Sequence, residues 1–333
     1  MTFRIRQARR SDLAALWPLA RQLNSYNLPA DRRVLAQILA TSVRSFRGLL
    51  QKSRAKYLFV MESCPSRRLV GCSLILAKHG TPRLPHLWLD LKTVRHGHLT
   101  HTVLQLGATT DGPTEVGGLI VARPYRCHPQ HLGRQLSFVR LAYMARHPER
   151  FEPRVLVEYL PPLTPSGDSR LWRVLGQRFT GLSYRQADRL SMTNKTFILR
   201  AFPRTPIRVK DLPPEVRAQL GVVHPAAAGA CAMLRRVGFR YLRQVEPFDG
   251  GPYYGARRAG ISVIRRTRAG RLKVGEPSPG SLGLLCAEPS PGAFRAVQAP
   301  YRRRAQAIEV THAVIKQLDG HSGMPGYVAP LAR

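Results

Sequence analysis

The segment between Val116 and Phe151 constrains the fold more than any other part of the chain. An apolar, β-prone run, VGGLIVARPYR, leads through the loop RCHPQHLG into a run that starts at Arg134. Apolar residues of that run recur at helical spacing, namely Leu136, Val139, Tyr143 and Met144. This order predicts a strand, a loop and a helix. The N–H groups and the dipole at the start of such a helix favour an anion such as phosphate.

The rest of the first 260 residues alternates helical and β-prone runs. Ser11 and Asp31 are each placed to cap an amphipathic helix. Strand-like runs follow between residues 56 and 109, and another starts at Arg154. Further helical runs are predicted at 169–179, 188–202 and 213–223, and Pro225 opens an Ala-rich helix that stops at Gly238. The pattern is typical of an α/β protein.

The sequence pattern changes near residue 260 from alternating helical and β-prone runs to short β-like runs. Beyond it, a linker rich in Pro, Gly and Ser (275–283) separates short β-like runs. Those runs are ISVIRR, LGLLCAE, AFRAVQA and AIEVTHAVIKQL. We therefore predict two domains, a core of residues 1–260 and a small β-rich C-terminal domain of residues 261–333.

The charge is strongly positive, because 53 Lys and Arg face 19 Asp and Glu, which gives a net charge of +34. The basic residues are scattered as pairs, with one triplet at Arg302 to Arg304, and form neither a tail nor a single helical face. This distribution favours a generally basic, solvated surface. The alternative is a specific polyanion partner such as nucleic acid.

Other classes of protein find little support. No apolar run approaches the roughly 18 residues of a membrane span. The N-terminus lacks a secretory signal pattern, so the cytoplasm is the expected location. The five cysteines are an odd number without a CxxC pair, which indicates neither a disulfide framework nor a thiolate metal site, and we expect them to be buried. His96, His98 and His101 have no Cys, Asp or Glu beside them, so no metal site is predicted.

Many separated motifs resemble the arginine N-succinyltransferase family of acyltransferases. They begin with RRSDLAAL and NLPA, continue through TEVGGLIV, RPYR, LGRQLSFVR and RFEPRVLVE, and include the long stretch at 160–198 and then GVVHP, GFRY and FDGGP. The resemblance covers about three quarters of the chain and fades after residue 260. It implies a GNAT-like α/β fold, with a mixed, mostly antiparallel sheet flanked by helices.

The same resemblance implies a reaction. Family members transfer the succinyl group of succinyl-CoA to the α-amino group of L-arginine, the first step of arginine breakdown by the succinyltransferase route. Succinyl-CoA would then be a co-substrate, with no tightly bound cofactor. By position, His224 in GVVHP matches the family's proton donor, and Leu119 in VGGLIV matches a residue that contacts succinyl-CoA. Without the resemblance, His224 is an ordinary helix-start residue before Pro225.

The loop after the VGGLIV strand is the predicted CoA site. We assign Arg126, His131, Leu132, Gly133 and Arg134 to it. This loop is longer than the usual acyl-CoA loop and has a single glycine, and Arg123-Pro124 stands where the family commonly has Asp-Pro. An ordinary strand-to-helix connection is therefore the alternative interpretation of this segment.

A cationic substrate requires carboxylates, which are scarce in this chain. Glu158, Asp188 and Asp249 fall inside the family-like motifs and are our candidates for binding the substrate, with Glu115 behind them. Asp188 has the alternative role of a helix-surface ion pair, and Asp249 that of a turn residue. Glu158 follows an apolar strand, where an acid should have a partner.

Two alternatives to arginine succinylation stay open at this point. One is transfer to another amine, such as ornithine, or from another acyl-CoA. The other is an inactive GNAT-like protein that binds nucleic acid through its basic surface, although no nucleic-acid-binding motif is visible. The resemblance also makes a homo-oligomer or a heteromer plausible.

Overall fold

The computed structural model describes residues 2–23, 27–64 and 66–331 of the chain. Within them it contains sixteen strands and ten α-helices. The strands are β1 (Thr2–Gln7), β2 (Lys56–Cys64), β3 (Leu69–Leu76), β4 (His86–His96), β5 (Leu99–Thr109), β6 (Thr114–Val121), β7 (Arg154–Glu158), β8 (Ile207–Arg208), β9 (Arg240–Val245), β10 (Pro252–Arg257), β11 (Arg268–Val274), β12 (Leu282–Ala287), β13 (Arg295–Pro300), β14 (Arg302–Arg304), β15 (Ala307–Val310) and β16 (Pro325–Pro330).

The helices are α1 (Leu13–Leu23), α2 (Arg32–Phe46), α3 (Leu132–Arg146), α4 (Gln177–Thr180), α5 (Tyr184–Ser191), α6 (Thr196–Ala201), α7 (Pro214–Arg217), α8 (Ala228–Arg236), α9 (Ser262–Arg266) and α10 (His312–Gln317). The chain divides into two compact units. The first unit comprises Met1–Ala77, Val116–Pro153 and Arg257–Arg333, and the second comprises Lys78–Glu115 and Arg154–Ala256.

The strands of the first unit follow the order β14-β15-β11-β16-β12-β13-β1-β2-β3-β6. The pairs β1–β2, β1–β13, β2–β3 and β12–β16 are antiparallel, and β11–β15 is parallel. Ile5 of β1, 1% exposed, lies opposite Met61 on one side and Ala296 on the other. The N-terminal strand thus takes a central position between β2 and β13.

Helix starts in the first unit follow capping chemistry. The carboxylate of Asp31 accepts the N–H groups of Arg33 and Val34, which confirms the predicted cap of α2. The cap predicted at Ser11 is wrong, because Ser11 lies inside a 3₁₀ turn that precedes α1. Asp12 closes that turn by accepting the N–H of Arg9 at 2.7 Å.

A buried charge network ties β1 to β2 in the first unit. Arg6 donates to Asp12 and to Glu62, each at 2.8 Å, and Arg4 donates to Glu62 at 2.6 Å. Burial alone would raise the pKa of Glu62, but the hydrogen bonds from Arg6 and Arg4 hold it below its usual value. Each buried acid of this network therefore has a basic partner.

The strands of the second unit follow the order β7-β10-β9-β4-β5-β8. The β4–β5 hairpin, β4–β9 and β9–β10 are antiparallel, while Thr114 and Glu115 of β6 pair in parallel with Val155 and Leu156 of β7. Apolar side chains of β4, β5 and β9 form one core with residues of α5, α6 and α7. The mixed and mostly antiparallel α/β architecture expected from the sequence is thereby confirmed.

Three predicted elements are wrong in type or length. ISVIRR forms α9 rather than a strand, and the run from Ala307 forms β15 and then α10. A short apolar run is compatible with the periodicity of a helix and with that of a strand. Tertiary packing decides for a helix in ISVIRR, since α9 packs on α3. The continuous helix predicted at 188–202 is interrupted between α5 and α6, where the side chain of Asn194 accepts the N–H of Thr196 and starts a new helix.

The chain passes from the second unit to the first at residues 256–257, close to the boundary predicted near 260. The β-rich C-terminal strands belong to the same compact unit as β1, with which β13 pairs. A separate domain of residues 261–333 stays a prediction. Among the described residues, no helix has the length and apolar character of a membrane span.

The cysteines are unpaired thiols, as their number and spacing indicate. Cys72, Cys231 and Cys286 are buried as expected, and Cys64 is half-buried. The expectation is wrong for Cys127, which is exposed in the loop before α3. The side chain of His96 lies outside the described part of the structure, and no group of Cys, His, Asp or Glu within that part is arranged to hold a metal ion.

Candidate active site

A tight loop from Glu246 to Gly251 joins β9 to β10 in the second unit. The N–H of Glu246 donates to the carbonyl of Gly251 at 2.8 Å, and the N–H of Gly250 donates to the carbonyl of Glu246 at 2.9 Å. Gly250 has a φ of +81°, which favours glycine. A Cβ at Gly251 would lie 2.3 Å from the carbonyl oxygen of Tyr159. Both glycines of the FDGGP motif are therefore needed for this backbone path.

The loop presents two buried carboxyl groups, Glu246 at 7% and Asp249 at 4% exposure. Oε2 of Glu246 accepts the N–H groups of Phe248 and Asp249, and Oδ1 of Asp249 accepts the N–H of Gly251 at 2.7 Å. The remaining oxygens, Oε1 of Glu246 and Oδ2 of Asp249, accept no hydrogen bond from any described residue. The loop thus fixes one oxygen of each carboxylate and leaves the other unpaired.

Aromatic packing anchors the loop. Phe248 stacks on Trp172 with ring centroids 4.8 Å apart and planes 7° apart. Trp172 is fully buried, and its Nε1–H donates to the carbonyl of Leu182 at 2.8 Å. It begins a π-helical turn, Trp172–Gly176, in which a Cβ on Gly176 would lie 2.2 Å from the indole ring. The packing around Phe248 holds the loop in one conformation.

Glu158, at the end of β7, is a third carboxyl group in this region. It makes no hydrogen bond to a described residue, so the expected partner within the chain is absent there. Burial raises its pKa well above the usual value, and the charges of Glu246 and Glu115 raise it further, against a smaller opposing influence of Lys195. The site therefore gathers acids that repel one another.

The pKa values of both carboxyl groups of the loop, Glu246 and Asp249, are raised. Burial and then the charge of Asp249 raise the pKa of Glu246 well above its usual value, against smaller opposing influences of Lys195 and of the N–H groups of Phe248 and Asp249. Burial raises the pKa of Asp249 to about 7, although the hydrogen bond from Gly251 lowers it and the charge of Asp188 contributes to raising it. Titratable groups displaced in this way are characteristic of functional sites.

A histidine pair lies in the same unit. Nε2 of His79 forms a short hydrogen bond with Oε2 of the buried Glu115. The ring of His86 lies 4.9 Å from that of His79 and stacks on Tyr253 at 5.6 Å. Burial, followed by the charge of His79, lowers the pKa of His86 well below its usual value, so this ring is neutral at pH 7. Of these residues only Glu115 is among the candidates named from the sequence, because no local sequence pattern connects it with His79, His86 or Tyr253.

His224 is exposed and precedes a 3₁₀ turn, Pro225–Ala227. Its Nδ1 accepts the N–H of Ala226 at 3.1 Å, so the neutral ring carries its proton on Nε2. Its own N–H donates to the carbonyl of Leu160 at 2.9 Å, two residues after Glu158. His224 therefore lies beside the end of the strand that carries Glu158.

The segment before His224 also bonds to the carboxylate loop, since the N–H of Gly221 donates to the carbonyl of Gly250 at 3.0 Å. The structure thus brings Glu158, Asp249 and His224 onto backbone segments joined by hydrogen bonds. Asp188 takes a peripheral position on the exposed side of α5, although its charge acts on Asp249. Glu246 was missed; its spacing of three residues from Asp249, in a chain poor in acids, was the available signal.

The predicted CoA segment belongs to the first unit. Gly118 in β6 has a φ of +56° and is followed by the half-buried Leu119. The predicted strand, loop and helix are confirmed, but α3 begins at Leu132 rather than at Arg134. Leu132 and Gly133 are therefore residues of the first helical turn, whose N–H groups lack partners inside the helix.

The other residues of this segment differ in exposure. Arg126 is exposed, and its Nε donates to the carbonyl of Val121 at 3.0 Å. His131 is exposed, and its backbone adopts the left-handed conformation with a φ of +50°. Arg134 is half-buried in the first turn of α3. A Cβ at Gly133 would meet Val121 only at 3.9 Å. The protein itself thus leaves room beside the first turn of this helix.

Known proteins resemble this chain over nearly its full length. A family model described as arginine N-succinyltransferase beta subunit matches residues 3–263. Proteins named arginine N-succinyltransferase from Enterobacter sp. (strain 638) and Citrobacter koseri are each 30% identical over 334 residues, covering 96% of this chain and 95% of theirs.

One solved structure matches the whole fold. It is the arginine/ornithine succinyltransferase subunit AI from Pseudomonas aeruginosa, with a TM-score of 0.86 and 28% identity, covering 100% of this chain and 99% of that one. The GNAT-like fold class expected from the motifs is confirmed. By the family match over residues 3–263 and by its full-length relatives, the chain belongs to the arginine N-succinyltransferase beta subunit family.

Proposed function

We propose that this protein transfers the succinyl group of succinyl-CoA to the α-amino group of L-arginine. Its relatives carry the name of that reaction. The observation that carries the proposal is the group of three carboxyl groups, Glu158, Glu246 and Asp249, that have no basic partner among the described residues of a chain whose net charge is +34. A cationic substrate would be repelled by the general field of such a chain, so a local acidic site is required to bind it.

The proposed chemistry is direct acyl transfer. The α-ammonium group of arginine first gives a proton to water, and the resulting amine attacks the thioester carbonyl carbon and gives a second proton to water as the amide forms. The tetrahedral intermediate then collapses as the C–S bond breaks, which leaves an amide and a CoA thiolate that takes up a proton. Glu158 and Asp188 would position the amine, and His224 would supply the proton to the thiolate.

Succinyl-CoA would be held by the segment around the start of α3, as a co-substrate rather than a resident cofactor. The proposed contacts are Leu119, Arg126, His131, Leu132, Gly133 and Arg134. The N–H groups and dipole of the first helical turn favour the CoA phosphates. The room beside Gly133 supports a close approach of a phosphate to the backbone.

A second candidate substrate is ornithine, because the matching Pseudomonas aeruginosa structure is named for both amino acids. Its side chain ends in an ammonium group, which is a point charge rather than a planar fork. We also propose that the protein assembles with copies of itself or with another subunit, since the family and that structure are both described as subunits. The cytoplasmic location stays a prediction.

Release of CoA thiol from succinyl-CoA, measured with and without L-arginine at moderate salt, tests the proposal. Arginine-dependent release is expected, with ornithine assayed in parallel. Intact succinyl-CoA binding without release would reject arginine and direct the assay to other amines. Salt-sensitive binding of DNA or RNA without affinity for CoA would instead favour the nucleic-acid alternative.

A further inference from the structure

We infer that Glu246 is a specificity-determining residue, whose unpaired Oε1 acts with Oδ2 of Asp249 to bind the planar, cationic end of the substrate side chain. The inference deepens the proposed function and rests on it. It assigns the carboxylate loop of residues 246–251 to the guanidinium, and Glu158 to the reacting end of the substrate.

The geometry of the loop supports this assignment. One oxygen of each carboxylate is fixed by N–H groups of the loop itself, so the positions of the unpaired oxygens are fixed as well. Phe248, between the two acids, is held against the buried Trp172. A guanidinium presents its N–H groups in a rigid fork and is bound best by acceptors that are rigid too.

The absence of salt bridges between described residues and either Glu246 or Asp249 also supports the binding of a cation by these two residues. Neither Glu246 nor Asp249 forms a salt bridge with a described Lys or Arg, although both side chains are more than nine-tenths buried. Burying a carboxylate without a partner is unfavourable, and a second carboxylate nearby increases the cost. A bound cation removes both penalties, and the neutral isostere of a guanidinium does not.

The position of His224 separates the two ends of the substrate. Its N–H is bonded to Leu160, so the proposed proton donor lies at the end of the strand that carries Glu158. The α-amino group must reach the same place, because the thiolate that receives the proton forms where the amine attacks. The side-chain terminus of arginine is then left for the carboxylate loop.

Glu246→Gln isolates the unpaired oxygen. The amide oxygen can take the place of Oε2 and accept the N–H groups of Phe248 and Asp249, which preserves the loop. The amide NH₂ then replaces Oε1 and presents donors to a guanidinium that needs acceptors. We expect Kd for des-amino arginine, measured by calorimetry, to rise about 10- to 100-fold, with a similar rise in KM for arginine. Kd for the neutral des-amino citrulline should stay unchanged.

Controls keep the inference separate from folding and from the proposed reaction. Glu215→Gln removes the same charge from an exposed site of the same unit and should leave both Kd values unchanged. If the E246Q protein fails to fold, Asp249→Asn is the second variant. It should weaken the binding of des-amino arginine to a similar extent. An unchanged Kd for des-amino arginine in a folded E246Q protein, or equal losses for both ligands, would overturn the inference. Absent turnover in the wild type would reject the proposed function alone, because Kd needs no catalysis.

Discussion

Glu62 in the first unit and three acids of the second unit, Glu158, Glu246 and Asp249, differ in whether a basic side chain pairs with them. In the first, Glu62 accepts from Arg4 and Arg6 at 2.6 and 2.8 Å. In the second, Glu158, Glu246 and Asp249 have no basic side chain within salt-bridge distance among the described residues. The chain has 53 Lys and Arg, so the supply of cations does not limit pairing. Within the described part of the chain, these three acids lack a basic partner because of where the fold places them.

The difference in pairing indicates a structural role for Glu62 and a binding role for Glu158, Glu246 and Asp249. The pKa of Glu62 is lowered by its partners, which means that folding favours its ionised form. The pKa values of Glu158, Glu246 and Asp249 are raised, so folding disfavours theirs. The first group stabilises the fold at neutral pH, and the second reduces stability until a cation pairs with it.

The largest expected effect is on turnover, in the second unit. Replacing His224 with Ala should lower kcat about 100-fold or more, because a general acid contributes on that order, with little change in succinyl-CoA affinity. Steady-state kinetics and CoA binding check this. His224→Asn is the matched control, since its side-chain oxygen can still accept the N–H of Ala226 as a cap while it supplies no proton. Turnover that survives in either variant removes the assignment.

Next in size is a stability difference between the two kinds of acid. Glu62→Gln should lower the free energy of unfolding by about 3 kcal/mol, because it leaves buried arginine charge without a partner. Glu158→Gln should leave stability unchanged or raise it, since it removes a carboxyl group whose ionised form the fold disfavours. Urea unfolding at pH 7 measures both. Equal losses in the two variants would contradict the contrast between the units.

The contributions of Asp249 and Glu62 to stability should change in opposite directions with pH. The pKa of Asp249 is about 7 in the fold and about 3.9 in the unfolded chain. Between these values the folded protein holds a proton that the unfolded chain has lost, so its contribution to stability falls as pH rises. The slope is up to about 1.4 kcal/mol per pH unit. Glu158, Glu246, Asp188 and Lys195 share this environment and add to or oppose the trend.

Glu62 behaves conversely, because its lowered pKa contributes stability at neutral pH that is lost only as pH falls through the folded value. Urea unfolding across pH 4 to 8 tests both directions, and Asp249→Asn should flatten the fall between pH 5 and 7. A slope that this variant does not change would show that Asp249 is ionised in the fold at all these pH values.

The smallest effect concerns the CoA segment. Gly133→Ala should raise stability by about 0.5 kcal/mol, because the residue is helical and a Cβ fits there, while it raises KM for succinyl-CoA several-fold by crowding the phosphate. Gly229→Ala in α8 is the control, since open space surrounds that site. It should give the stability gain without a change in KM. A KM unaffected in both variants would argue against phosphate binding at Gly133.

Local sequence patterns predicted local structure well. The apolar run, loop and helix between Val116 and Arg146 and the cap at Asp31 were read correctly, because each depends on residues a few positions apart. The predictions were wrong for α9, where packing decides between a strand and a helix, and for the run 188–202, where Asn194 accepts the N–H of Thr196 and starts a new helix. Glu158, Asp249 and His224 were singled out by family-like motifs, and their roles stay predictions.

The sequence by itself determined the family, the mixed α/β class and the scarcity of acids in a basic chain. Only the tertiary structure decided which acids are paired. Arg4 and Glu62 meet across 58 positions of the chain, and the charge of Glu246 acts on Glu158 because β9, β10 and β7 are neighbours in one sheet. The charge state of a carboxyl group depends on burial and on neighbours in space, and neither can be read from residues adjacent in sequence.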